Sequence, residues 1–269
     1  MEVFLSYGFL QRALLAGIFV ALACAVLGVF LILRRDAMIG HGLAHVAFAG
    51  VAIGLFLNVM PLSAALLVAV MSALGIMQLK DKAGLYGDTA IAIFSSVGFA
   101  LGVLVVSLSG SFNVDLFGYL FGDILAIDTS DVVFAIGLAV AVVIAVMLYY
   151  EKFLYMTFDR ETAKASGVAV VRLELILAVL TAVTVVLGMK IVGILLVSAL
   201  LVMPAAAGLQ LASSFKQSLV ISCCVSVVSV VIGLFAAFFF DLPASGAIVL
   251  FSFLCFGFFF VIKNKIFFR

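Results

Sequence analysis

Long apolar runs alternate along the chain with short polar interruptions. Runs near residues 13–33, 38–57, 61–79, 89–109, 132–150, 172–189, 191–211, 218–240 and 244–262 each approach the roughly 20 apolar residues that carry a helix across a hydrocarbon core. They predict nine transmembrane helices. The interruption at Met189 and Lys190 is short, and one bent element across it would give eight. Two other interruptions are longer. SGSFNVDLFGYLFGDILAIDTSD, between the fourth and fifth runs, holds Asp115, Asp123, Asp128 and Asp131 and no basic residue. Its middle, VDLFGYLFGDIL, is apolar enough to dip into the membrane yet too short to cross it. It predicts a short helix lining an outer vestibule, where four unbalanced carboxylates draw in cations. EKFLYMTFDRETAKASGVAV, between the fifth and sixth runs, alternates charges with Phe153, Leu154, Met156, Phe158 and Val168. It predicts a short amphipathic helix ended by Gly167, read either as a docking element for a soluble partner or as a solvated connection.

Composition agrees with this pattern. With 68% hydrophobic and 10% charged residues among 269 and a mean hydropathy of +1.48, the chain lacks the polar surface of a water-soluble protein. One all-helical membrane domain, residues 1–269, is expected. A net charge of +1 argues against nucleic acid as a partner. Met1 to Gly8 lacks the basic start of a cleavable signal, and the first long run ends in Arg34 and Arg35, which hold it in place.

Basic residues set the expected orientation, because Lys and Arg beside spans stay in the cytoplasm. With nine spans and the N-terminus outside, Arg34, Arg35, Lys80, Lys82, Lys152, Arg160, Lys164, Arg172, Lys216, Lys263, Lys265 and Arg269 lie inside, and only Arg12 and Lys190 lie outside. The C-terminus is then inside. Cys24, Cys223, Cys224 and Cys255 show no Cys-x-x-Cys spacing and are expected to be small buried packing residues.

The candidate chemistry lies in RRDAMIGHGLAHVAFAGVA. Its two histidines, His41 and His45, are the only ones in the chain. Positions four apart share a helix face about 6 Å apart along the axis, so both imidazoles can hold one metal ion of the zinc-like, late first-row kind. The alternative is two imidazoles facing headgroups or bonded to neighbouring helices. Gly40, Gly42 and Gly50 allow this helix to pack closely or to loosen around a passing ion. A zinc-protease helix would need Glu after the first His, where Gly42 stands, and no phosphate-binding Gly-rich loop precedes a Lys-Ser or Lys-Thr pair. The chain therefore carries neither a metalloprotease nor an ATPase. Pro204 reads either as a hinge in its span or as ordinary packing.

FLQRALLAGIFVALACAVLGVFLILRRDAMIGHGLAHVAFAGVAIGL resembles the start of the permease subunits of bacterial ATP-binding-cassette importers for zinc, manganese and iron. FNVDLFGYLFGDILAI, FDRETAKASGV and MKIVGILLVSALLVMPAAAGLQLA resemble three further stretches of that family in the same order. The resemblance implies the fold of the larger vitamin B12 and siderophore permeases without their first span, in the bacterial cell membrane. It also implies a second copy of the chain, separate ATPase subunits and an extracytoplasmic metal-binding protein. FDRETAKASGV becomes the coupling helix seated on the ATPase, with Asp159, Ala163 and Gly167 matching the family pattern. Transport would proceed by alternating access, with no tightly bound cofactor. Asp115 and Asp123 would shape the vestibule, and His41 and His45 would form a transient metal site. Many relatives, manganese importers among them, carry Asp where this chain has His41. Imidazole in place of a hard oxygen ligand shifts the expectation toward zinc, with manganese or iron as the alternative cargo. A secondary metal-cation carrier, working without an ATPase, is the rival of another class.

Overall fold

A backbone in hydrocarbon has no water to satisfy its N–H and C=O groups, so each apolar run closes on itself as a helix. The computed structural model describes residues 7–83, 87–108, 118–120, 122 and 127–267, without the side chains of residues 83 and 264–267. Its helices are α1 (Gly8–Leu33), α2 (Ile39–Phe56), α3 (Pro61–Ala83), α4 (Gly87–Leu108), α5 (Thr129–Leu148), α6 (Tyr150–Phe158), α7 (Arg160–Ala165), α8 (Val170–Val192), α9 (Ile194–Leu211), α10 (Phe215–Phe240) and α11 (Ala244–Phe267). Among the described residues nine helices are long and apolar enough to cross a membrane, all but α6 and α7. Nine spans, not eight, follow from Gly193, the single residue between α8 and α9. Its φ of 86° is a conformation that side chains disfavour and glycine accepts. The chain breaks there rather than at Met189 and Lys190, which remain helical.

The long helices alternate in direction, as contacts at the two ends of the bundle show. At one end Arg34, closing α1, bonds to Glu174 near the start of α8, and Lys80, near the end of α3, bonds to Asp36 ahead of α2. Phe30 of α1 packs there on Phe153 of α6 and Phe215 at the start of α10, with ring centroids 5.6 and 5.1 Å apart. At the other end Tyr7, ahead of α1, meets Phe238 near the end of α10. Lys190, near the end of α8, bonds there to Asp131 at the start of α5.

α1 is buried along most of its length, as expected of a helix that is apolar all round. α2 is similarly enclosed, against α3, α4, α8 and α9. Its enclosure depends on glycine. A Cβ on Gly50 would lie 2.5 Å from the Ala65 Cα of α3, and one on Gly98 of α4 would lie 2.9 Å from the Val46 Cα of α2. α4, by contrast, buries only the stripe Ala90, Ile91, Gly98, Gly102 and Val106. Ile93, Val97, Phe99, Leu101, Val103 and Leu104 of α4 face outward. α9 runs through Pro204 without interruption, and Pro204 is buried in the bundle.

Candidate functional site

His41 and His45 lie in the first two turns of α2. Their Nε2 atoms are 3.1 Å apart and their rings meet edge to face, with centroids 4.5 Å apart. His41 is exposed and His45 half-buried, while Gly42, Leu43, Ala44 and Val46 between and beside them are buried. The pair thus occupies the one open side of an enclosed helix. Phe99 of α4 stands edge-on to the His45 ring at 5.2 Å and stacks on Phe48, which walls the imidazoles on one flank. Among the described residues no cluster of three or more His, Cys, Asp or Glu side chains is placed to hold a metal. Among the described residues the pair itself offers two imidazole nitrogens there.

The helix carrying the pair is continuous from Ile39 to Phe56, so it is not loosened around the histidines. Its glycines serve close packing instead: a Cβ on Gly42 would press on Ile91 at 2.6 Å.

Beside the start of α2 lies an ionic cluster that the sequence pattern did not reveal. Glu174 is buried and accepts from Arg34 Nη2 at 2.6 Å and from Arg160 Nε at 2.9 Å. Asp36, also buried, accepts from Lys80 Nζ at 2.6 Å and lies 3.6 Å from Arg34 Nε. Arg160 Nη2 reaches Asp81 at 3.1 Å. Three cations and three carboxylates from the ends of α1, α3, α7 and α8 and from the turn before α2 thus neutralise one another. The bond to Glu174 raises the Arg160 pKa further, so the guanidinium stays charged. Each charge is visible in the sequence, but their mutual proximity is a tertiary fact without a local signal.

The segment expected to form one amphipathic helix folds as two, α6 and α7, with the break at Asp159. Phe158, expected on an apolar face, is 67% exposed because, as the last residue of α6, it points to a different side of that helix from Phe153 and Met156, which are buried. The three family-pattern residues all shape α7. Asp159 caps it by accepting from the Thr162 amide at 3.0 Å. The Thr162 hydroxyl and amide hold that carboxyl below its ordinary pKa. Ala163 is buried. Gly167, at φ 83°, closes the helix with paired bonds from its own amide to the Lys164 carbonyl and from the Val168 amide to the Ala163 carbonyl. Glu161, Thr162, Lys164 and Ala165 remain exposed.

The acidic segment between α4 and α5 is only partly described. Asp115 and Asp123 lie outside the described residues. Asp131 is not unbalanced as expected: its carboxylate accepts from Lys190 at 2.6 Å and from the Asp128 amide at 3.1 Å. Lys190 sits in another span, so the sequence showed the segment as uniformly acidic. Of the cysteines, Cys24 is buried as expected, but Cys224 is exposed and Cys223 and Cys255 are intermediate. Cys224 lies on the outward side of α10, where nothing packs over it.

Comparison with known proteins matches the ABC 3 transport family over residues 6–263. The chain is 35% identical to the manganese transport system membrane protein MntC of Listeria monocytogenes over 250 residues, covering 93% of this chain and 89% of that one. It is also 35% identical to the high-affinity zinc uptake system membrane protein ZnuB of Haemophilus influenzae over 252 residues, covering 93% and 95%. Among solved structures, PsaBC of Streptococcus pneumoniae, in complex with a Fab, superposes with a TM-score of 0.85 at 31% identity over 96% of this chain and 93% of that one. A metal-chelate type ABC transporter in an inward-facing conformation shares the fold alone, with a TM-score of 0.75 at 18% identity over 94% and 85%. The nine apolar helices and these relatives make the chain a multi-pass protein of the bacterial inner membrane, a transport component whose ATPase is a separate subunit. The chain belongs to the ABC 3 transport family, as a permease subunit of its metal importers.

Proposed function

We propose that this permease moves zinc into the cytoplasm by alternating access, with His41 and His45 as transient ligands. The observation that carries the reading is the imidazole pair, 3.1 Å apart on the one open side of α2. Two nitrogens on one tetrahedral zinc at about 2.0–2.1 Å stand about 3.3 Å apart. Two ligands at right angles on a small octahedral cation stand about 2.9–3.0 Å apart. The spacing supports a shared metal of either geometry, and the ligand type supports zinc, since imidazole suits late first-row metals better than carboxylate sites do. Manganese is the second reading, favoured by the relatives named for it.

Without metal, one Nε2 carries the proton that bonds to the other. Metal needs both Nε2 lone pairs, so loading requires that proton to move to Nδ1 of its own ring, and unloading lets it return. Two protein ligands, completed by water or by a second copy of the chain, hold the ion weakly enough for onward transfer. The Arg34 end of the bundle faces the cytoplasm under the basic-residue rule. There α7, shaped by Asp159, Ala163 and Gly167, seats on the ATPase. The ion enters from the extracytoplasmic binding protein through a vestibule shaped partly by Asp115 and Asp123.

Elemental analysis of cells lacking the protein, grown with limiting metals, tests this reading. Cellular zinc is expected to fall and to be restored by the native chain but not by an equally expressed His41→Ala, His45→Ala variant. A fall in manganese or iron alone, or full rescue by the variant, would overturn the assignment.

A further inference from the structure

We propose a second binding site in this permease: a cleft at the Arg34 end that holds the phosphodiester headgroup of an anionic phospholipid, such as phosphatidylglycerol. The cleft, of about 480 Å³, lies where α5, α6 and the turn from α7 into α8 converge. Tyr149, Lys152, Ser166, Arg172, Leu173 and Ile176 line it.

Charge separates this cleft from the neighbouring ionic cluster. Arg34, Lys80 and Arg160 are neutralised by Glu174, Asp36 and Asp81. Among the described residues neither Lys152 nor Arg172 has an ion-pair partner, and both are exposed. Lys152 Nζ lies over the Tyr149 ring, 6.0 Å from its centroid. α8 enters the cleft without a side-chain cap, so the unpaired amides of its first turn add positive potential beside Arg172.

Depth selects a lipid over a soluble anion or an acidic protein loop. The floor residues Leu173 and Ile176 belong to a span. Tyr149 and Lys152 also line an adjoining hollow that includes Met147 and Leu148, each 74% exposed. Val171, beside Arg172, is 47% exposed. A phosphate on the two cations would therefore have apolar surface directly beneath it for acyl chains, and tyrosine at this level is typical of the headgroup boundary. Basic hollows between transmembrane helices bind anionic headgroups in this manner.

The test measures phospholipid retained by the purified full-length chain from mixed phosphatidylglycerol and phosphatidylcholine micelles, by native mass spectrometry. The native chain is expected to retain phosphatidylglycerol preferentially. About 1 kcal/mol per basic residue at the surface corresponds to a roughly fivefold loss for Lys152→Gln or Arg172→Gln and about thirtyfold for both. Lys82→Gln, which removes an exposed cation at the same end but outside the cleft, is expected to retain the native preference and controls for general charge loss. Equal retention of the two lipids by the native chain, or an unchanged preference in the double variant, refutes the site. Displacement of the lipid by sn-glycerol 3-phosphate refutes its lipid character. Loss of ATPase copurification with unchanged lipid retention assigns the cations to a protein interface and also refutes it.

Discussion

Replacing Glu174 by Gln tests whether the ionic cluster stabilises the bundle or merely decorates it. Glu174 and Arg34 have side chains only 6% and 8% exposed, and their bond is 2.6 Å. Breaking such a pair costs roughly 3–5 kcal/mol, because the remaining charge stays buried without its partner. Two structural facts place the expected cost at the lower end. Arg34 keeps Asp36 at 3.6 Å, and the glutamine carbonyl still accepts one bond. Arg160, with a side chain 42% exposed, adds at most about 1 kcal/mol. A loss of about 3 kcal/mol is therefore expected for Glu174→Gln in equilibrium unfolding with sodium dodecyl sulfate in mixed micelles. The pair is not inherently superior to apolar packing, so the double variant Arg34→Met, Glu174→Leu should recover most of that loss. A Glu174→Gln variant within about 0.5 kcal/mol of the native protein would refute the reasoning, since Arg34 would then be solvated well enough to stand alone.

Two further outcomes follow from the packing and the capping. Gly98→Ala should destabilise by about 1–3 kcal/mol in the same assay, because its Cβ meets the Val46 backbone at 2.9 Å. Gly137→Ala, where nothing lies within 4 Å, should be neutral or stabilise by up to about 1 kcal/mol. Asp159→Ala should raise hydrogen exchange of the amides of residues 160–165, while Asp159→Asn preserves the cap. Since the Asp159 pKa is lowered on folding, its capping contribution is fully present above the ordinary carboxylate pKa. It is lost as pH falls through the depressed value, so exchange of these amides should be flat across neutral pH.

The spans were legible because hydrocarbon leaves the backbone no alternative to helix, and nine apolar runs became nine helices. The histidine pair was legible for the same kind of reason: a spacing of four fixes a shared face. Lys190 misled because a charge in an apolar run reads as an end, whereas Asp131 lies far away in sequence and close in space. The glycines of α2 were ambiguous in one dimension. Loosening and close packing need the same residue, and only the neighbouring backbones of Ala65, against Gly50, and Pro61, against Gly54, distinguish them. The break at Asp159 was hidden by a hydrophobic alternation that runs through it, although the aspartate followed three residues later by Thr162 forms a readable cap.

α8 is tethered near both ends, to Arg34 and Arg160 through Glu174 and to Asp131 through Lys190. Sixteen residues separate the two anchors, about 24 Å of helix. Mechanically this makes α8 a strut: a push delivered at Arg160 tilts it as a body instead of bending it. The only joint to the next helix is Gly193, and α9 beyond it presses Leu201 against Gly40, next to His41. Force applied beside α7 thus has a route to the imidazoles along α8, through one pivot, and across the packing of Leu201 on Gly40. A substitution that stiffened Gly193 is expected to uncouple the two ends without altering His41, His45 or any residue of the ion pairs.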